Sequence, residues 1–474
     1  MSNLGLLTLP NEILLIIFSH FEDPYPLYPL STTCRRLHFL ALPIYGVRTG
    51  VLKLSDSMTE SYNIMVGPEE TTALAALQTS LFLDTVDNLN CTFSNPHSQI
   101  RDLGRFYRLC SILTSIDSTN LRFRPPSFDD YHGPIQEIYY FDSIIHALNM
   151  VLEKSCTTLT VGAVPSDKPG SRRRARAARG APSGGVLTSS ISLSTAALRQ
   201  RKLSEFGIHS DILVSPHCRA WTVEVLNSFP ITSLSIDAYS VPTDVWDNVL
   251  TQTEIPTLSD LSIADCRVAP ARMHAFLSRH PSVTTLHFGM VFVPSLQERL
   301  PPDHLPRLRV LSAPAAQVAY LLQALEHTAA LRTVRVHSHM TRLDLIFTDT
   351  SLRSVESRLA PVALSLVLPV PANLPHLAVD LDLEFGDETA LKYVSTLEFV
   401  FEDVNVAFFK LSDYLSITKW FAPFPGLKTV ALVGFNDSYN IALVLEAIGL
   451  RANVEVLGVN GFKYDLMSSG QLDR

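Results

Sequence analysis

The sequence lacks the features that are typical of secreted, membrane-spanning and disulfide-rich proteins. Its six cysteines include no CxxC pair and are scattered along the chain, so neither a disulfide framework nor a zinc site is indicated. The longest apolar stretch, residues 360–372, contains three prolines and falls short of the roughly 20 residues that a membrane span requires. The first ten residues have neither the basic start nor the continuous apolar run of a signal peptide. We therefore expect a soluble protein of the cytoplasm, the nucleus or both, with no membrane partner.

Charged residues are also scarce, and their balance argues against a nucleic-acid partner. They make up 18% of the 474 residues, and the formal net charge is −8. Hydrophobic residues make up 46%, which excludes a largely disordered chain and is enough to build a core. At about 150 residues per domain, this length corresponds to about three domains or to one extended repeat array.

Motifs of catalysis and cofactor binding are missing as well. The chain contains no GxxxxGK[ST] loop, no GxGxxG after a strand, no HExxH and no GxSxG. His337 and His339 would share one face of a strand, and so would Asp380, Asp382 and Glu384, as metal ligands sometimes do. Solvated surface side chains are the better interpretation of both groups. We therefore expect no enzyme activity, no cofactor and no metal site.

The first fifty residues predict a small helical unit with a large apolar surface. Thr8 and Pro10 suit the N-cap and the first turn of a helix. The apolar residues that recur there at helical spacing are Leu9, Ile13, Leu14, Ile17, Phe18 and Phe21. A second helical stretch follows, and Pro26 and Pro29 predict that it begins late, near Pro29. Because so small a unit cannot bury its whole apolar surface, we expect a partner to cover part of it.

The order of residues in this unit resembles an F-box over residues 6–48. The residues that carry the resemblance are Leu9-Pro10, Glu12-Ile13-Leu14, Ile17-Phe18, Asp23-Pro24, Leu27, Leu30-Ser31 and Cys34-Arg35-Arg36-Leu37-His38. Residues 41–45 also resemble the end of the F-box in fungal F-box proteins. The resemblance implies docking onto the Skp-type adaptor of a cullin–RING ubiquitin ligase. The residues that it assigns to adaptor binding or packing are Leu9, Pro10, Ile13, Leu14, Ile17, Phe18, Leu27, Leu30, Cys34 and Leu37. A plain helical hairpin that caps a repeat array is the alternative.

From about residue 156 onward, a leucine-rich pattern recurs. Residues 258–268 fit the pattern LxxLxLxx(N/C)xL, and equivalent positions at 234, 261, 286, 311 and 334 lie 27, 25, 25 and 23 residues apart. Predicted helices, such as 243–252 and 270–279, separate these strings. A strand, a turn and a helix repeated at this interval predict an irregular leucine-rich-repeat solenoid with parallel strands. The predicted fold class is therefore α/β, with a small all-α F-box at the amino terminus.

These patterns divide the chain into four predicted parts. They are an F-box at 1–48, a connector or degenerate first repeats at 49–155, a disordered arginine-rich loop at 162–185 and repeats at 186–474. The loop carries a net charge of +5 from six basic residues and one acidic residue. Such a block suits nuclear import or an acidic partner, but a plain disordered insertion is the better interpretation.

The repeat pattern also predicts where a target protein would bind. Residues between the leucine positions of each strand point away from the core, which gives one candidate row. That row consists of Ser235, Ser262, His287, Ser312 and Arg335. We therefore expect a substrate-recognition subunit of an SCF-type E3 ubiquitin ligase, which binds the Skp adaptor and an unknown target protein. The alternative is a non-catalytic leucine-rich-repeat scaffold that has no role in degradation.

Overall fold

The chain divides into two compact units, Met1–Leu258 and Ser259–Arg474. The structure is a computed structural model that describes residues 8–54, 61–67, 71–95, 98–124, 134–164, 191–238, 241–264, 266–289, 305–324, 330–338, 342–359, 362–370, 389–401, 421, 423–435 and 454–466. Most of the predicted arginine-rich loop at 162–185 lies outside these residues. The carboxylates at 380–384 also lie outside them, and so do residues 378–385, whose sequence favours a strand, and residues 438–450, whose sequence favours a helix.

The amino-terminal unit begins with three helices and continues into a sheet of mostly parallel strands. Its helices are α1 (Asn11–Ser19), α2 (Leu27–Ser31), α3 (Arg35–Arg48), α4 (Thr71–Leu77), α5 (Gln99–Ile112), α6 (Pro134–Glu153), α7 (Thr195–Gln200), α8 (Arg219–Ser228) and α9 (Thr243–Gln252). Its strands are β1 (Leu52–Leu54), β2 (Tyr62–Val66), β3 (Thr85–Phe93), β4 (Ser115–Phe123), β5 (Thr158–Ala163), β6 (Glu205–His209) and β7 (Ser233–Asp237). β1 pairs antiparallel with β2, and β2 to β7 pair in parallel in chain order. A helix lies in the connection between each pair of parallel strands, as parallel pairing requires.

The carboxy-terminal unit also contains a sheet of mostly parallel strands. Its strands are β8 (Asp260–Ala264), β9 (Thr285–Phe288), β10 (Val310–Pro314), β11 (Thr333–His337), β12 (Ala363–Pro369), β13 (Val394–Val400), β14 (Thr429–Val433), β15 (Val456–Val459) and β16 (Phe462–Asp465). Its helices are α10 (Pro270–Arg279), α11 (Ala315–Ala324), α12 (Arg342–Arg353) and α13 (Glu356–Leu359). β8 to β15 pair in parallel in chain order, and β16 folds back antiparallel to β15. Asn460 and Gly461 make that last turn with positive φ angles of 48° and 90°, which glycine and asparagine adopt most readily.

Each sheet buries one face, and the leucine positions supply it. Leu261, Leu286, Leu311 and Val334 are at most 1% exposed, and the register places each beside the next. The residues between them are mostly less buried, so the strands alternate between a core face and an open face. The number of residues between successive apolar strings in the sequence is therefore the number that leads from one strand to its neighbour in the sheet.

The region 49–155 contains more regular structure than its sequence pattern predicts. The sequence pattern there favours a strand at 62–66, which is present as β2, and a helix at 141–153, which forms part of α6. β3 and β4 are not evident from the sequence because their open faces carry asparagine and aspartate, which are poor strand formers. Their inner positions are apolar except for Thr119, and the rings of Phe93 and Phe123 stack there at 5.2 Å.

Candidate functional site

The cap position of α1 lies at Pro10, two residues later than its sequence suggests. Pro10, with φ of −56° and ψ of 155°, occupies the cap position, and no side chain caps the helix. The Pro10 carbonyl accepts the first helical bond, from the Leu14 amide at 3.1 Å. The expectation that Thr8 caps this helix was therefore wrong. Glu12 lies in the first turn, where its charge is favourable to the helix dipole.

α2 also differs from the expected second helix, because it begins at Leu27 and not near Pro29. Pro26 occupies its cap position and Pro29 lies in its first turn, where a backbone N–H has no partner within the helix. Neither proline ring therefore removes a helical hydrogen bond. The helix ends at Ser31, and α3 starts only at Arg35, so the single predicted stretch consists of two helices.

Two arginines of α3 hold this helix against α1. Arg36 donates from Nε to the Asn11 Oδ1 atom at 2.8 Å and also donates to the Leu9 carbonyl. Arg48 donates to the Phe18 carbonyl at 3.3 Å, at the carboxyl end of α1, where a positive charge is favourable. The amino ends of α1 and α3 therefore lie together, and so do their carboxyl ends.

A closed hydrophobic cluster fills the space between the three helices. Its buried members are Leu14, Phe18, Leu27, Leu37, Ala41, Leu42, Tyr45 and Ala76. Four residues that the resemblance assigned to the adaptor are among them, namely Leu14, Phe18, Leu27 and Leu37. Four others pack partly buried against the cluster, namely Leu9, Ile17, Leu30 and Cys34. These eight side chains hold the helices together, and the four buried ones have no free surface with which to meet a partner.

The open apolar surface lies on the other side of α1. Of the predicted residues, Pro10 and Ile13 are exposed, and Ile16 lies one turn from Ile13 on the same helix face with 54% of its surface open. The large exposed apolar side chains of residues 8–48 that the resemblance does not assign to a partner are Leu15, Ile16, Tyr25, Phe39 and Val47. The sequence feature that could have indicated the exposed residues of α1 is the width of its apolar run, which exceeds what one buried helix face needs.

The three helices are joined to the sheet that follows them. The His38 Nε2 atom accepts the Leu81 amide at 3.1 Å, so the ring hydrogen lies on Nδ1 and bonds the Ser31 carbonyl at 3.2 Å. Gly46 lies so close to β1 that a Cβ atom there would stand 2.4 Å from the Leu52 Cδ1 atom. The three helices are therefore held against β1 and against the segment that leads into β3.

A second candidate surface is the open face of the sheet in the carboxy-terminal unit. The register places Ser262 beside His287, His287 beside Ser312 and Ser312 beside Arg335. These are four of the five predicted target-binding residues, and they form one row across β8 to β11. Ser262 and His287 are partly buried, Ser312 is 7% exposed and Arg335 is open to solvent.

Ser235, the fifth predicted residue, belongs to the amino-terminal unit. Its Oγ atom is 2.8 Å from the Nε2 atom of His209 on the neighbouring strand. Burial lowers the pKa of His209, Asp237 opposes this effect and the positive charge of Arg122 adds to it. The side chain of His209 therefore shares the open face of this sheet with two oppositely charged groups.

His337 lies two residues after Arg335 on β11 and contacts this row, whereas its spacing in the sequence pairs it with His339, which lies outside the described residues. The His337 Nε2 atom is 2.7 Å from the Ser312 Oγ atom, and its ring meets the His287 ring edge-on at 5.1 Å between centroids. Burial lowers the pKa of His337 to about 4, and the charges of His287 and Arg335 act in the same direction. Burial, followed by Arg335, also lowers the pKa of His287. Both imidazoles are therefore neutral near pH 7.

Within the described residues, no group of three or more His, Cys, Asp and Glu side chains could hold a metal ion. No helix of these residues is both long enough and apolar enough to span a membrane. Burial raises the pKa of the Cys156 thiol to about 11 and that of the Cys218 thiol to about 12, which leaves both protonated at neutral pH.

Comparison with known proteins identifies one region of the chain. The family model described as F-box-like matches residues 6–44, which cover α1, α2 and most of α3. No curated protein matches the chain. The chain therefore carries an F-box-like domain at its amino-terminal end, and this domain indicates an adaptor role in an SCF-type ubiquitin ligase.

Proposed function

We propose that this protein is a substrate-recognition subunit of an SCF-type cullin–RING E3 ubiquitin ligase. The observation that carries the proposal is the F-box-like match at residues 6–44, together with the open isoleucine face of α1 in the same segment. In this proposal the helices bind a Skp-type adaptor and the sheet units bind a target protein. The chain itself performs no catalysis, because holding the target beside the ubiquitin-loaded enzyme is sufficient.

The adaptor contact would involve the exposed face of α1. Ile13 and Ile16 are 42% and 54% exposed, and covering the open part of each contributes about 1 kcal/mol. A few side chains at the centre of an interface usually supply most of its binding energy, so truncation of these two should be measurable. The buried residues of the unit would contribute indirectly, because they hold α1 in place.

We also propose that the parallel strands and their helices are irregular leucine-rich repeats. Leu261, Leu286 and Leu311 are register partners 25 residues apart, within the interval of about 20–29 residues that is typical of such repeats. The open face of the strands would then receive the target, at the row that includes Ser262, Ser312 and Arg335.

A pull-down of the full chain with a purified Skp-type adaptor tests the first part of this proposal. We expect the wild type to bind and the variant Ile13→Ala/Ile16→Ala to lose most of its binding. The matched control is Ile100→Ala/Ile112→Ala, which removes two exposed isoleucines from α5 and should bind as the wild type does. A wild type that binds no adaptor, or a control that fails to the same degree, would contradict the proposal.

Target turnover separates the ligase subunit from an interaction scaffold. Proteins captured by the wild type are identified, and their half-lives are compared in cells with the wild type and with Ile13→Ala/Ile16→Ala. We expect the half-lives to lengthen when adaptor binding is lost. Unchanged half-lives, with capture intact, would favour the scaffold.

A further inference from the structure

The side chains of His287, Ser312, Arg335 and His337 form one compact cluster, here called the His–Arg cluster. Ser312 lies on β10 between the other strands, and its small side chain leaves space in which the two imidazoles meet above it. The bond of 2.7 Å from Ser312 Oγ to His337 Nε2 fixes the orientation of the second ring. Arg335 lies beside Ser312 on β11, two residues before His337 and on the same face.

The permanent charge of this cluster is positive and is not offset locally. Arg335 is exposed and forms no ion pair with any residue that the structure describes. His337 pairs with Val367 on β12, and Val367 pairs with Glu398 on β13. At ordinary strand spacing, the backbone of this acidic residue is therefore about 10 Å from that of His337. Asp260, at the other end of the face, is bonded to the Ser259 hydroxyl at 2.5 Å.

The groups of the cluster suit an oxyanion. A guanidinium presents parallel N–H groups that match a carboxylate or a phosphoryl group, and each neutral imidazole adds an N–H donor or an acceptor. The partial burial of the rings excludes water from one side of the site, which strengthens a charge-assisted hydrogen bond. An apolar or positively charged side chain would gain nothing from this arrangement.

We propose that the His–Arg cluster binds an oxyanion of the target protein, either the carboxylate of an acidic side chain or a phosphoryl group. This inference rests on the proposed function in one respect, that the open sheet face receives the target. Arg335 supplies the charge and the paired donors, His287 and His337 add hydrogen bonds, and Ser312 positions His337. The target segment recognised by this unit is therefore an acidic one.

Fluorescence anisotropy with the full chain tests this inference. Three labelled Gly/Ser peptides are compared at about 0.1 M salt, where distant surface charges are screened. One contains three glutamates, one contains a phosphoserine and one contains three glutamines. We expect the glutamate peptide, the phosphoserine peptide or both to bind, and the peptide that binds identifies the source of the oxyanion. The glutamine peptide should not bind.

The variants assign the binding to the cluster. Arg335→Ala should weaken binding by tenfold or more, since it removes a charge-assisted pair, and Arg335→Lys should have an intermediate effect. Arg332→Ala is the matched control, because it removes an exposed arginine just before the same strand and should stay within twofold of the wild type. Equal binding by Arg335→Ala, an equal loss in Arg332→Ala or no binding of any acidic peptide by the wild type would overturn the inference.

The adaptor pull-down, run on the same variants, keeps the two proposals apart. Arg335→Ala should retain adaptor binding, because its side chain lies on β11 and takes no part in the α1 surface. If the wild type binds the acidic peptide but no adaptor, the ligase proposal fails and the oxyanion site stands. If it binds the adaptor but no acidic peptide, the oxyanion site fails and the adaptor contact stands.

Discussion

Leu14 and Ile16, two residues apart on α1, should respond to truncation in opposite ways. Leu14 is fully buried among Phe18, Leu37 and their neighbours, whereas Ile16 is 54% exposed. Leu14→Ala leaves a cavity in the cluster and should cost about 2–5 kcal/mol of unfolding free energy. Ile16→Ala removes only the covered half of an exposed side chain and leaves no closed cavity, so it should change that free energy by no more than about 1 kcal/mol.

The affinity for the adaptor should follow the reverse order. If the adaptor covers the open half of Ile16, the contact contributes about 1 kcal/mol, so Ile16→Ala should weaken binding about fivefold. Adding Ile13→Ala should bring the loss to roughly thirtyfold, provided that the two contacts are additive. Leu14→Ala should bind at nearly full affinity at low temperature, where most molecules remain folded.

Two measurements on the full chain separate these effects. Hydrogen exchange reports the opening of α1 to α3, and a loss of 2 kcal/mol would speed it about thirtyfold in Leu14→Ala. Biolayer interferometry at 15 °C reports adaptor affinity for all three variants. Our assignment of inner and outer faces would be refuted if Ile16→Ala destabilised the helices as much as Leu14→Ala, or if it bound the adaptor with unchanged affinity.

Three further predictions concern the rest of the chain. Gly46→Ala should separate α3 from β1, because the added Cβ atom would overlap the Leu52 side chain, and hydrogen exchange in both elements should become faster. Gly104→Ala is the control, since a Cβ atom there would meet nothing within 4 Å and should leave hydrogen exchange unchanged. The unfolding free energy should fall by up to about 3 kcal/mol as the pH drops from 6.5 to about 4, because His337 binds its proton at a higher pH in the unfolded chain than in the folded one. Urea titrations of His337→Gln over the same pH range should show a smaller fall. Asp349→Ala should lower the unfolding free energy by about 2 kcal/mol or more, since the buried carboxylate accepts hydrogen bonds from Arg353 at 2.8 Å and from the Ala390 amide at 2.8 Å. The hydrogen-exchange rate of the Ala390 amide should rise more in Asp349→Ala than in Asp349→Asn.

Much of the architecture follows from the spacing of apolar residues. The helices Thr243–Gln252 and Pro270–Arg279 have the bounds that their sequence predicts, because each begins after or at a proline and carries one apolar face. The strands with an apolar residue at every second position were likewise predictable, since this alternation suits a half-buried sheet. β3 and β4 were not, because their outward residues are polar and their inward ones become evident only beside neighbouring strands.

The pattern of residues alone indicates that an apolar helical unit resembling an F-box precedes strands and helices in alternation. Which apolar residues of α1 face inward depends on the packing of α3, because Leu14 and Ile16 are similarly hydrophobic and differ only in which of them α3 covers. The tertiary structure also decided the composition of the His–Arg cluster, since residues far apart in sequence become neighbours through strand register. The spacing of apolar residues in the sequence predicts the type of each element, whereas the burial of a residue and its contacts depend on how the elements pack against one another.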